Sequence, residues 1–360
     1  SIRRKARTNG NQRDDLTLII KKMSVLKTIR IFKAEMELCF IEKLLAFDFS
    51  SEDAEKCADI FTQNSLDGVY SHGVNRFPRF IDFLKKGYVM PKNKPLLKNK
   101  LGVIEQWDGA SGPGPSNAFF ATNKALDLAN KYGIGCIALS NTNHWMRGGY
   151  YAWQAAKKGY IFIGWSNTAA IMPAWGAKNA KLGNNPLVIG IPYRDEAVVL
   201  DMSMSQFSYG AMELTEQKNE KLPVTGGYDK DGNLTNDPSL ILESLRTLPI
   251  GFWKGSGLSF VLDVLAAILS DGLAVHQVAQ KEDEISCSQI FITIDPKKLT
   301  GYNEKDNVID EIVKDLKSSA KINHDSQISY PGERAVNLRK ENSEKGIPVS
   351  ESVWNEIVNL

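Results

Sequence analysis

The segment Asp67-Gly68-Val69-Tyr70-Ser71-His72-Gly73-Val74-Asn75-Arg76-Phe77-Pro78 sets an imidazole between a serine and a glycine, with a guanidinium four residues on. A group that gives or takes a proton near neutral pH, beside one that forks onto a carboxylate, suits chemistry on a keto or hydroxy acid. If the chain after Gly73 is helical, His72 and Arg76 share a face, because residues four apart are helix neighbours. Taken alone, the commoner role of such a histidine is structural, as a cap or a satisfied turn residue. A second candidate is His144, in Asn143-His144-Trp145-Met146-Arg147-Gly148-Gly149. It follows a predicted strand and so projects from a strand end, where α/β folds place their ligands. Asp201 closes another strand in Asp201-Met202-Ser203 and could hold a ribose hydroxyl or orient a histidine.

Three glycine-rich segments invite a phosphate reading. Gly133-Ile134-Gly135-Cys136-Ile137-Ala138 spells the letters of a dinucleotide fingerprint, but a helix precedes it and a strand follows. The fingerprint needs the reverse order, so this is a helix stop and a tight turn. Gly109 to Pro115 has the right order, yet its two prolines remove amide donors. Gly251-Phe252-Trp253-Lys254-Gly255-Ser256-Gly257 leads into a helix at Leu258 and offers amides, a cation and an aromatic face to a phosphate or ribose. A turn whose glycines let helix and sheet pack closely explains it equally well. His276 and His324 lie among charged residues and read as surface groups.

The elements that must hold these residues follow from periodicity and punctuation. Apolar residues recur at helical spacing from Met23 to Phe47, and a second helix runs from Ser50 or Ser51 through Phe61. A third covers Phe77 to Leu84 and stops at Gly87. Then strands and helices alternate: strand 102–107, helix 116–131, strand 136–139, helix 151–157, strands 161–165, 187–191 and 198–200, helix 258–269 and strand 289–294. Such alternation indicates an α/β sheet, here with a mixed sheet. Residues 215–238 read as a polar surface excursion, and the chain beyond 300 is again charged and helical, with a loop at Tyr330-Pro331-Gly332-Glu333-Arg334. Residues 1–22 are polar and basic and read as an extension.

A chain of 360 residues exceeds the size at which one core usually keeps growing, so two domains are expected. They are a mainly helical domain from 23–100 and 300–360, and an α/β cofactor-binding domain over 101–299. A net charge of +2 gives no reason to expect nucleic acid or an anionic membrane as partner. Four scattered cysteines exclude a disulfide framework or a short zinc motif and fit the cytoplasm. The longest apolar helix, Leu258 to Leu269, is too short to span a bilayer.

Together, Ser71-His72-Gly73 with Arg76, Asn143-His144, Gly183-Asn184-Asn185-Pro186, Asp201-Met202-Ser203 and Lys254-Gly255-Ser256-Gly257-Leu258 resemble the type-2 malate/L-lactate dehydrogenase family of nicotinamide-dependent oxidoreductases. The resemblance runs from about residue 50 to the C-terminus. It implies an α/β, non-Rossmann NAD(P)-binding domain whose mixed sheet is flanked by helices, and a homodimer with the site between lobes. It implies reduction of a small 2-keto sugar acid, with NAD, as NADH, preferred over NADP and no metal. By the same resemblance His72 matches a position assigned as proton donor, and His144 a histidine treated as acid/base in some relatives, so which imidazole moves the proton stays open. Arg76 would anchor the substrate. Cofactor contacts carry over to Ala197, Val198, Val199, Leu200, Asp201, Met202 and Ser203, to Trp253 and Lys254, and to Gly332, Glu333 and Arg334. In the last group this chain departs from the family, which has histidine then glutamate after the glycine. Rival readings are a malate, lactate or ureidoglycolate dehydrogenase, a metallohydrolase using His72, His144 and Asp201, and a non-catalytic sugar-acid binding protein.

Overall fold

The computed structural model describes residues 27–360; the extension expected over 1–22 and the start of the helix expected from Met23 lie outside the described residues. In chain order the strands are β1 (Thr28–Ile31), β2 (Leu96–Leu101), β3 (Ile104–Asp108), β4 (Ile134–Thr142), β5 (Ile161–Ser166), β6 (Met172–Pro173), β7 (Ala180–Leu182), β8 (Leu187–Tyr193), β9 (Glu196–Met202), β10 (Gly227–Tyr228), β11 (Leu234–Thr235), β12 (Cys287–Ile294) and β13 (Ile347–Ser350). Seven form one sheet in the order β2-β3-β4-β12-β5-β8-β9. Only β3 and β4 run parallel; every other pair in this sheet is antiparallel. The sheet is therefore mixed, as the alternation of elements predicts, and it lacks the parallel βαβ halves of a Rossmann fold.

Side chains alternate across a strand, and the central strands use both faces. Ile137 and Leu139 of β4 and Phe291 of β12 meet Ala118, Ala121 and Ala125 of the helix Gly114–Tyr132 on one side. Cys136, Ala138 and Ile290 meet Leu262 and Ala266 of the helix Trp253–Ser270 on the other. A separate core joins the two ends of the chain. Met36, Phe40, Phe61, Phe77 and Phe80 from the helices Lys33–Ala46, Ser51–Leu66 and Phe77–Lys85 pack with Ile347, Val349, Trp354 and Ile357. Phe40 stacks on Phe77 at 4.0 Å.

Several expectations are corrected. Thr28–Ile31, expected within the first helix, is strand: β1 pairs antiparallel with β13, a partner more than 300 residues away that local periodicity does not reveal. The strand expected over 102–107 is the second arm of a hairpin whose turn places Gly102 at φ 59°. The stretch 215–238 is not only excursion. The helices Tyr209–Gln217 and Pro238–Ser244, with β10 and β11, enclose a small core of Met212, Leu222 and Ile241. The helix expected from Leu258 begins at Trp253 and has 18 residues of mean hydropathy 1.3, long and apolar enough by those measures alone to cross a membrane. Its inner face instead packs on the sheet, and Asp263 accepts hydrogen bonds from Asn167 and the Val275 amide.

Candidate active site

Ser50 caps the helix Ser51–Leu66 by accepting from the Asp53 amide, and Gly68, at φ 78°, turns the chain out of its far end. The helix Phe77–Lys85 is present as expected, but the chain leading to it is two 3-10 turns, Tyr70–His72 and Val74–Arg76, split at Gly73. They are stitched to the preceding helix: the Val74 amide donates to Ser65 Oγ at 2.8 Å, and Asn64 Nδ2 donates to the His72 carbonyl at 2.9 Å. A Cβ at Gly73 would sit 2.2 Å from Ser65 Oγ, so only glycine permits this approach. The helix Tyr209–Gln217 starts against the turn, with Gly210 close over Ser71.

The turn carries His72 to the end of β4, where the His72 and His144 rings stack at 5.5 Å and 26°. His72 Nδ1 and Ser71 Oγ are 3.0 Å apart, and a hydroxyl can serve either protonation state of that nitrogen. His144 is more constrained. Its Nδ1 accepts from the Met146 amide at 3.0 Å, so a neutral ring carries its proton on Nε2. That nitrogen lies 3.7 Å from Glu284 Oε1. Arg76 and Arg79 line the adjoining cavity with Asn143 and His144.

Burial first, then the charges of His144 and Arg76, push His72 down to about 3. Burial, Arg76 and Arg79 hold His144 well below the usual imidazole range. Both rings are thus neutral at pH 7 beside the guanidinium groups of Arg76 and Arg79, the latter paired with Asp283 at 3.5 Å. Such a site favours an anion.

The expected cofactor residues gather along β9, an edge strand of the sheet. The Val199 amide donates to the Pro331 carbonyl at 3.0 Å, and Gly332 packs against Val199 and Ala197. The Ile250 amide donates to the Met204 carbonyl, bringing the turn before Trp253 and Lys254 to the other end of the strand. Ala197 and Val199 face the core, Val198, Leu200, Met202 and Ser203 are half-buried, and Asp201 is exposed. Trp253 is 67% exposed, and Lys254 is exposed with no ion pair among the described residues. A cation and an open aromatic face fit the phosphates and rings of a nicotinamide dinucleotide. Glu333 is paired with Lys317, and Arg334 is exposed.

In both glycine-rich loops most amides are already engaged. Those of Lys254, Gly255 and Ser256 bond to Gly251, Ile250 and Phe252 carbonyls, and those of Gly109, Ala110, Ser111 and Gly112 are also taken. Asp201 orients no histidine; it accepts from Arg147 Nε at 3.3 Å and the Gly149 amide at 2.9 Å. Among the described residues no three His, Cys, Asp or Glu side chains gather as metal ligands, so His72, His144 and Asp201 do not form a metallohydrolase centre. His276 and His324 are exposed.

Sequence reasoning missed Glu284, hidden in the acidic run Glu282-Asp283-Glu284, and a buried charge network. Asp67 pairs with Arg147 and accepts from Arg339 at 2.6 and 3.1 Å; Arg339 also reaches Glu196 at 3.0 Å. Both guanidinium groups lie over the Trp153 ring, at 5.0 and 4.9 Å. The network ties the base of the His72 turn to β9 through four distant segments, and no spacing in the chain signals it.

Comparison with known proteins adds to this geometry. A family model described as malate/L-lactate dehydrogenase matches residues 32–358, so the likeness reaches further back than the motifs after Ser50 suggest. The chain is 45% identical over 327 residues to the 2,3-diketo-L-gulonate reductase of Citrobacter koseri, covering 91% of this chain and 98% of that protein. It is 46% identical over 322 residues to the reductase of the same name from Pasteurella multocida, covering 89% and 97%. Among solved structures, a malate dehydrogenase from Entamoeba histolytica shares the fold, with a TM-score of 0.87 at 24% identity over 93% of this chain and 99% of the other. A sulfolactate dehydrogenase from Methanocaldococcus jannaschii superposes with a TM-score of 0.82 at 29% identity, over 91% and 95%.

Proposed function

The chain belongs to the malate/L-lactate dehydrogenase family and is an oxidoreductase, and from that premise we propose that it reduces a 2-keto sugar acid with NADH, converting 2,3-diketo-L-gulonate to 3-dehydro-L-gulonate. The observation that carries this reading is the stacked imidazole pair beside the half-buried Arg76 guanidinium, in a chain so similar to reductases of that name.

When bound, the nicotinamide supplies a hydride to the C2 carbonyl carbon. Arg76 holds the substrate carboxylate or polarises its carbonyl oxygen. The bound carboxylate offsets the charge that depresses the imidazoles, so His72 can take up the proton it later passes to the C2 oxygen. The assignment favours His72 over His144 because Nδ1 of His144 is occupied by the Met146 amide, whereas the Ser71 hydroxyl accommodates a proton on His72 Nδ1. His144 Nε2–H donates to the same oxygen as negative charge develops there. Ala197 to Ser203, with Trp253, Lys254 and Gly332, would hold the cofactor; the engaged carboxylate of Glu333 makes that residue a positioning group.

The core at the chain ends, distinct from those on the two faces of the sheet, supports a helical domain (23–100 and 300–360) and an α/β domain (101–299), with β2 joining the sheet of the latter and Ile60 and Met146 packing across the boundary. Four free cysteines support the cytoplasm. The exposed face of the helix Trp253–Ser270, with Phe260 60% and Ile268 69% exposed, supports a homodimer that buries it.

The test is loss of NADH absorbance on a panel of 2-keto acids: diketogulonate, pyruvate, oxaloacetate and the ureidoglycolate partner acid. Preference for a short acid moves the substrate within the family, and binding without absorbance loss ends the catalytic reading. His72→Asn with near-normal turnover would remove His72 as donor.

A further inference from the structure

Three acids follow one another before β12, and the fold uses them differently. Glu282 accepts from the Tyr88 hydroxyl at 2.7 Å, and Asp283 pairs with Arg79 at 3.5 Å and Lys86 at 3.2 Å. Glu284 turns inward. Its Oε2 accepts from the Ala169 amide at 3.0 Å, and its Oε1 lies 3.7 Å from His144 Nε2, with both side chains about one-sixth exposed. Since the Met146 amide occupies Nδ1 of His144, the proton-bearing edge of that ring is the one nearest this carboxylate.

We propose that Glu284 is a positioning residue of the proton-transfer pair, a fixed counter-charge that lets the His72–His144 stack hold the proton consumed in reduction. The inference rests on the reductase reading. The groups facing the stack are otherwise cationic or neutral: Arg76 and Arg79 from the His72 side, Arg147 from the end of β4, and the Ser71 hydroxyl. Glu213, on the overlying helix, acts on Arg76, and Asp283 is spent on Arg79 and Lys86. Glu284 is the acid whose charge favours protonated His72, and it also stabilises charged Arg76.

The experiment is the pH profile of kcat, which reports ionisations in the substrate complex, for NADH-dependent reduction of 2,3-diketo-L-gulonate by wild type, Glu284→Gln and Glu284→Asp. The glutamine keeps an oxygen for the Ala169 amide but removes the charge. Losing a nearby negative charge destabilises imidazolium, so the proton-loaded form vanishes at lower pH. The alkaline limb then moves down by about one pH unit, a tenfold loss on its far side, with KM for NADH unchanged. Glu284→Asp retains the limb. A Glu284→Gln profile that superimposes on an active wild type overturns this inference alone. A wild type that turns over no 2-keto acid removes the reductase reading and this inference with it. If melting shows Glu284→Gln unfolded, Glu284→Ala replaces it: a displaced limb supports the proposal and a superimposed one overturns it.

Discussion

Gly73→Ala tests whether the His72 turn is positioned by its closeness to the preceding helix. The added Cβ would meet Ser65 Oγ at 2.2 Å and the Phe61 carbonyl and Ser65 amide at 2.9 Å, all shorter than real Cβ contacts. Ser65 cannot swing away freely, because its hydroxyl donates to the Phe61 carbonyl and accepts from the Val74 amide, both at 2.8 Å. The turn must therefore lift. Overpacking of this kind costs about 1–3 kcal/mol, and a buried amide left unpaired at Val74 costs about 1–3 kcal/mol more. A loss of about 2–6 kcal/mol is expected in urea denaturation, a large share of a typical total of about 5–15 kcal/mol. A displacement of about 1 Å at His72 should also lower turnover about 100-fold. Gly257→Ala is the comparison, since its Cβ meets nothing within 4 Å and the residue lies inside a helix. There alanine should stabilise by up to about 1 kcal/mol. A Gly73→Ala protein with stability within about 0.5 kcal/mol of wild type and unchanged turnover would refute the reasoning.

Stability should fall on acidification as the two imidazoles are forced to charge. His72 is held at about 3 and His144 well below its usual value, so between about pH 6.5 and 3 the unfolded chain binds protons that the folded one refuses. Unfolding free energy should drop by up to about 1.4 kcal/mol per pH unit per histidine across that window. Urea midpoints at pH 7 and pH 5 check this, and His72→Asn should flatten the slope. Asp67→Asn leaves Arg147 and Arg339 buried without their shared acid, so a loss of about 3–5 kcal/mol is expected. A loss under about 1 kcal/mol in chemical denaturation contradicts that account. Ile268→Glu, on the open helix face, should convert a dimer to monomer in sedimentation while far-UV circular dichroism stays unchanged; a variant that still sediments as a dimer places the interface elsewhere.

The legible part of this protein is local. The strand-then-turn setting of His144, the glycine beside His72, the reversed order around Gly133 and the short apolar run of β4 are each written within a dozen residues. They were enough to reject the dinucleotide fingerprint, expect a mixed sheet and single out both histidines. Periodicity failed where the partner is distant: β1 takes its strand form from β13, and the 209–244 module packs around Met212, Leu222 and Ile241, too sparse to read from spacing. The site was half legible for the same reason. Residue type marked His72, Arg76 and His144, but only the packed fold brings the two rings to 5.5 Å, fixes the His144 proton on Nε2 through the Met146 amide, and turns Glu284 inward from an acidic run that reads as surface. Protonation state, tautomer and charge balance depend on distances and dielectric between groups far apart in the chain, and those quantities exist only once the chain has folded.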